Sequence, residues 1–173
     1  MLAIITSACY LAQLMCRQLD PQNSICCLMR QLNHSIEQEI TASLADMNLT
    51  VLQLEVLAEL SMNASLSTAD LARLTFVTPQ NMSLAVSKLA RRGYLVRSAH
   101  ATNARIKRLD LTNRGRIALE DGVVRAKRVE TWAFATLSPR DRTGLLKSLR
   151  NSLSTFKKRQ VDRRGGAAKR KSA

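Results

Sequence analysis

The sequence predicts a mainly α fold with one small β-hairpin, and three observations carry that expectation. Apolar residues make up 46% of the 173-residue chain but aromatics only 3%, so a core has to be assembled from Leu, Ala, Val, Ile and Met. Six Gly and three Pro leave little punctuation, which suits long helices better than a many-stranded sandwich. Apolar residues step by three and four through most of the chain, and the period changes to two only between about residues 94 and 111.

Taken in order, residues 1–16 are uncharged and largely apolar. They lack the basic start of a signal peptide, since the first Arg is Arg17, and they are short for a membrane span. Residues 1–24 are expected to form a helical extension, broken at Asp20-Pro21-Gln22-Asn23-Ser24. From Ile25 a long helix carries Leu28, Leu32, Ile36, Ile40, Leu44 and Met47 on one face and Arg30, Glu37 and Glu39 on the other. Thr50 is placed to cap the next helix, whose apolar side holds Leu52, Val56, Leu57 and Leu60.

Residues 61–65 read as a polar loop, and Ser67-Thr68-Ala69-Asp70 as a capping box opening a short helix with Leu71 and Leu74 inward. Phe76-Val77 makes a turn. Thr78-Pro79 then restarts the chain as N-cap and first helical residue, where the N–H that proline lacks would have no partner anyway. The helix that follows runs to about Arg92 with Met82, Ala85, Val86 and Leu89 on one face, and Gly93 stands at the left-handed C-cap. Two short helices joined by so tight a turn form a helix-turn-helix. Tyr94–Arg97 and Ile106–Leu111 read as strands flanking the polar tip 98–105, a wing. Thr112 caps a helix containing Ile117, Leu119, Val123, Ala126, Val129 and Trp132, and Ser138-Pro139 opens a last one with Leu146, Leu149, Leu153 and Phe156 in a seam. Residues 157–173 hold eight Lys or Arg against one Asp, with Gly165-Gly166, a composition that predicts a disordered basic tail.

Charge supplies the first functional indication. The net charge is +14, yet residues 1–60 contain two basic and six acidic side chains, so residues 61–173 carry +18. A basic field confined to one part of a small protein is the footprint of a polyanion binder. Charge alone admits nucleic acid, an anionic membrane or merely a well-solvated surface.

The element order and several short motifs together resemble the MarR family of transcriptional regulators. The segments that carry the resemblance are Leu49-Thr50 with Gln53 and Val56-Leu57, Ser67-x-x-Asp70-Leu71-Ala72, Val77-Thr78-Pro79, Leu89-x-x-Arg92-Gly93-Tyr94-Leu95-Val96, and Asn103-Ala104-Arg105 through Leu111-Thr112-x-x-Gly115. They span roughly residues 25–156. The resemblance implies a winged helix-turn-helix plus a helical dimerisation module: residues 25–48 as the first dimerisation helix, 49–112 as the DNA-binding domain, 113–158 as C-terminal dimerisation helices and 159–173 as the tail. It implies a repressor that binds a palindromic operator as a homodimer. Asn103 replaces the Asp usual on the wing, and Leu84 stands where the family often has a basic residue.

The residues agree with that role independently. A helix in the major groove keeps one face in the core and turns the other toward bases. With Met82, Ala85, Val86 and Leu89 inward, the outward set is Gln80, Asn81, Ser83, Leu84, Ser87 and Lys88, with Thr78 at the N-terminus. Gln and Asn pair with adenine edges, or else cap their own helix, and Leu84 suits a thymine methyl. Lys88, Arg91 and Arg97 suit phosphate, and Arg105 on the wing suits a narrow minor groove. The apolar faces of the first and the last two helices exceed what a small domain can bury, which points to a second copy of the chain.

No catalytic arrangement competes: His34 and His100 lie far apart, no Gly-rich phosphate loop occurs, and no metal site or cofactor is expected. The expected location is the cytoplasm, on the nucleoid. Cys9, Cys16, Cys26 and Cys27 do not make a disulfide scaffold or a zinc site. The resemblance implies two effector routes. One is a small aromatic or phenolic ligand bound between the dimer module and the winged domain. The other is peroxide sensing through a thiol near the start of the first long helix, where Cys26 stands, although the tyrosines accompanying such a thiol correspond to Ile40 and Val51 here. An apolar setting for Cys26, with only Arg30 near in sequence, favours the ligand route over the thiol. A reading outside gene regulation is a winged-helix protein-interaction module with non-specific nucleic-acid affinity.

Overall fold

The computed structural model describes residues 22–63, 66–99 and 107–171. It comprises two compact units, residues 1–130 and residues 131–173. In the first, α1 (Ile25–Ser43), α2 (Val51–Met62), β1 (Leu66–Ser67), α3 (Thr68–Leu74), α4 (Pro79–Arg91), β2 (Leu95–Ala99) and β3 (Lys107–Leu111) precede α5 (Asn113–Ala133), whose end enters the second unit; α6 (Pro139–Lys171) completes the chain.

Local chemistry sets most of the helix boundaries. The Thr50 hydroxyl accepts from the Gln53 N–H at 3.2 Å, and the Gln53 side chain accepts from the Thr50 N–H at 3.1 Å, a closed capping box that accounts for a glutamine only 4% exposed. Ser67 and Asp70 repeat the device at α3. Thr78 caps α4 through the Asn81 N–H, with Pro79 behind it. At the other end of α4, Gly93 adopts φ +69°, and its N–H and that of Tyr94 reach the carbonyls of Ala90 and Leu89 at 2.9 and 3.0 Å, a Schellman closure.

The sheet is antiparallel in the order β1-β3-β2, with Leu66 opposite Leu109 and Leu95 opposite Leu111. The hairpin matches its sequence signature. The two-residue β1 directly follows the segment 61–65 that reads as a polar loop, and it carries no strand signal of its own because its partners stand 41 and 43 positions away. The core joins Leu44, Leu49, Leu54, Val56, Leu57, Leu60, Leu71, Met82, Val86, Leu89, Tyr94, Leu95 and Leu109. Leu74, expected inward, is 45% exposed because α3 ends there, and on α5 the buried positions are Gly115, Ala118 and Gly122, whereas Ile117 is exposed.

Two further differences from the sequence reading concern the ends. The last helix continues through the basic stretch to Lys171, where composition predicts a disordered tail; no proline interrupts it, and Lys, Arg and Ala are strong helix formers. Cys26 is exposed, so the apolar burial expected for it is not found; Cys27 is instead the buried cysteine of the pair. Consecutive helix positions lie about 100° apart, so adjacent cysteines cannot share one environment. Residues 1–21 of the expected extension 1–24, and residues 100–105 of the expected wing tip 98–105 together with Ile106, lie outside the described residues, and with them His100, Asn103 and Arg105. No described helix is long and apolar enough to cross a membrane.

Candidate nucleic-acid interface

α4 is divided sharply between two faces. Met82, Ala85, Val86 and Leu89 are buried, while Gln80, Asn81, Ser83 and Lys88 are exposed and Leu84 is 63% exposed. Pro79, Gln80, Asn81, Ser83, Leu84 and Ser87 line a shallow, open groove of about 590 Å³. Six of the ten nucleic-acid contacts expected from sequence, Thr78, Gln80, Asn81, Ser83, Leu84 and Ser87, therefore lie at the start of α4 or along its outward face. This outward face combines amide and hydroxyl side chains with one exposed leucine, Leu84.

The cations divide by role. Arg97 on β2 donates to the Ser87 hydroxyl at 3.3 Å, tying the wing strand to α4. Lys88 and Arg91 open instead onto a second recess of about 360 Å³, shared with Asn48, Thr50, Gln53 and Arg92. Arg92, placed by the sequence at the end of this helix and in the Leu89-x-x-Arg92-Gly93-Tyr94 motif, makes structural contacts that its spacing does not reveal. Its guanidinium donates to the Met47 carbonyl at 2.7 Å, the Asn48 carbonyl at 2.5 Å and the Tyr94 hydroxyl at 2.9 Å, so it holds the α1–α2 corner against the end of α4. Asn48 at φ +51° turns that corner. The only local signal was the Arg-Gly-Tyr run; the carbonyls it meets are more than 40 positions distant.

A second arginine organises the other side of this unit. Arg125 on α5 binds both carboxylate oxygens of Asp46 at 2.5 and 3.0 Å, the Asp121 carboxylate at 3.1 Å and the Ser43 carbonyl at 2.7 Å. The hydrogen bond from Arg125 holds the Asp46 carboxyl below its ordinary value against a weaker opposing effect of burial, and the two aspartates keep Arg125 charged at any accessible pH. At the start of α3, the Ser67 hydroxyl and backbone N–H, followed by Arg73, lower Asp70 in the same sense, so the capping carboxylate is ionised when it faces the helix N-terminus. Among the described residues no three His, Cys, Asp or Glu side chains are grouped to hold a metal ion.

A capped helix-turn-helix, a three-stranded wing sheet and a helix presenting amides, hydroxyls and flanking cations define the winged-helix class. The comparisons with known proteins sharpen that class. The model of the MarR family matches residues 47–106. The HTH-type transcriptional repressor Rv2887 of Mycobacterium tuberculosis is 35% identical over 101 residues, covering 57% of this chain and 73% of the relative. The crystal structure of that MarR family protein in complex with salicylic acid aligns with a TM-score of 0.64 at 26% identity, over 74% of this chain and 95% of the other. MarR of E. coli in its apo form aligns with a TM-score of 0.69 at 17% identity, over 75% of this chain and 97% of that one, a likeness of fold. This chain belongs to the MarR family.

Proposed function

We propose that the protein is a transcriptional repressor that binds a palindromic operator as a homodimer and is released by a small aromatic acid. The observation that carries this reading is the two-faced α4, with four apolar residues locked in the core and Gln80, Asn81, Ser83, Leu84 and Ser87 turned outward. In this reading α4 enters the major groove: Gln80 and Asn81 pair with base edges, Leu84 meets a thymine methyl, and Thr78 and Ser83 contact the groove wall. Lys88, Arg91 and Arg97 neutralise phosphate, and Arg105 reaches from the wing into the minor groove.

Dimerisation follows from what each unit leaves uncovered. Ile25, Leu28, Met29 and Leu32 on α1, and Ile117 and Val124 on α5, are exposed in the first unit; Trp132, Leu146, Leu153 and Phe156 are exposed in the second. Stretches of this kind are what a second copy would bury. The aromatic-acid effector rests on the relative crystallised with salicylic acid.

Genome-wide mapping of binding sites, followed by titration of a recovered site in the presence and absence of salicylate, tests the reading. An inverted repeat bound tightly and released by the acid supports it; equal affinity for operator and random DNA would instead favour a non-specific interaction module. Cys26 gives a second effector route one observation in its favour, because an exposed, free thiol is accessible to oxidant. The same titration with organic hydroperoxide, on wild type and Cys26→Ser, assigns the route: release of the wild type alone would make the thiol the switch.

A further inference from the structure

Phe76 is the most exposed large apolar side chain among the described residues, at 94%. It also sits at φ +56°, a left-handed conformation that bulky L-residues rarely adopt. Both properties are unfavourable for the isolated fold, and glycine would relieve both. The turn is nevertheless well held: the Thr75 N–H and hydroxyl both donate to the Leu71 carbonyl at 2.9 Å, and the Val77 N–H to the Ala72 carbonyl at 3.2 Å. A fixed backbone thus thrusts the ring into solvent two residues before Thr78, the N-cap of α4.

The geometry points to Phe76 as an apolar contact to DNA, its ring packed against the deoxyribose face of the strand that borders the groove entered by α4. This inference rests on the operator-binding reading. Two trans peptide units separate Phe76 from Thr78, so the two Cα atoms stand at most about 7 Å apart. The major groove is about 12 Å wide. With Thr78 at the groove wall, that separation puts the sugars of the bordering strand within reach of the Phe76 ring, and their carbons form the apolar part of the backbone. Such a contact involves no charge, so it adds affinity without adding to the salt dependence that Lys88 and Arg91 supply. The strain and exposure at Phe76 are then features of the free protein that DNA binding offsets.

The test compares full-length wild type, Phe76→Gly and Phe76→Ala by thermal melting and by titration of the mapped operator at several salt concentrations. Phe76→Gly is expected to melt a few degrees higher, because the turn loses its Cβ conflict, yet to bind about tenfold more weakly, the factor for roughly 55 Å² of apolar surface left in water. Phe76→Ala should lose the same affinity without the gain in melting temperature, and neither variant should change the salt slope. Wild-type affinity in either variant overturns the inference, and so does a lower melting temperature in Phe76→Gly, which would make the ring a part of the fold. If the wild type itself fails to distinguish operator from random DNA, the repressor reading falls and this contact with it; if the wild type discriminates and the variants match it, only the contact falls.

Discussion

The guanidinium of Arg92 lies over the ring of Tyr94, 4.7 Å from its centroid, while one of its nitrogens donates to the Tyr94 hydroxyl at 2.9 Å. Together with the carbonyls of Met47 and Asn48, this arrangement joins the α1–α2 corner, the end of α4 and the start of the wing in one contact. Arg92→Ala should cost about 2 kcal/mol by urea unfolding, since it leaves two carbonyls without their charged donor. Arg92→Lys should recover less than half of that, because an ammonium lacks the planar fork that reaches several acceptors at once. Full recovery by lysine would reduce the site to a simple charge.

Gly115 shows how closely α5 approaches the wing. A Cβ there would stand 2.0 Å from the Tyr94 carbonyl oxygen, a backbone atom that the Thr112 N–H already holds at 3.2 Å. Gly115→Ala should therefore destabilise by about 1–3 kcal/mol. Gly144 on α6, with nothing near its missing Cβ, provides the control: Gly144→Ala should be neutral or stabilise by up to about 1 kcal/mol. Equal effects in thermal melting would contradict the close approach.

The Arg125–Asp46 pair predicts a pH dependence with a definite sign. Asp46 titrates below its ordinary value of 3.8 in the folded chain, so its stabilising contribution is complete above that value and is lost as pH falls through the lower folded one. Wild type should be more stable than Asp46→Asn at neutral pH, and the difference should shrink below about pH 4. Denaturant midpoints measured across that range check it; a difference that grows on acidification would reverse the assignment.

For the DNA interface, Arg105→Ala should weaken operator binding by about 1–3 kcal/mol with the fold intact. Lys88→Ala should weaken operator and random DNA alike and make the salt slope shallower by about one. Unchanged binding by Arg105→Ala in a gel-shift titration would remove the wing from the interface.

The dimer is tested at Leu153 and Phe156, which are 61% and 64% exposed on α6. Light scattering should report a dimer for wild type at micromolar concentration and a monomer for Leu153→Asp with Phe156→Asp, accompanied by loss of tight operator binding. A monomeric wild type would end the proposal.

Most of the helical fold was legible because its signals are local. Thr50, Ser67 and Thr78 cap helices through residues three positions ahead, Gly93 closes α4 within the same turn, and the 3.6-residue period sorted Met82, Ala85, Val86 and Leu89 from Gln80, Asn81, Ser83 and Leu84. The outward face of α4 was therefore readable residue by residue, and the family with it. What only the tertiary structure decided involves partners that sequence spacing does not reveal. Strand β1 exists because Leu66 finds Leu109, Arg92 acts on carbonyls more than 40 positions away, and Arg125 meets Asp46 across 79. The different fates of Cys26 and Cys27, and the exposure of Phe76 at a turn that the sequence marks only as a turn, were settled in the same way: burial is a property of the packed neighbours, and adjacent residues on a helix or in a turn face different ones.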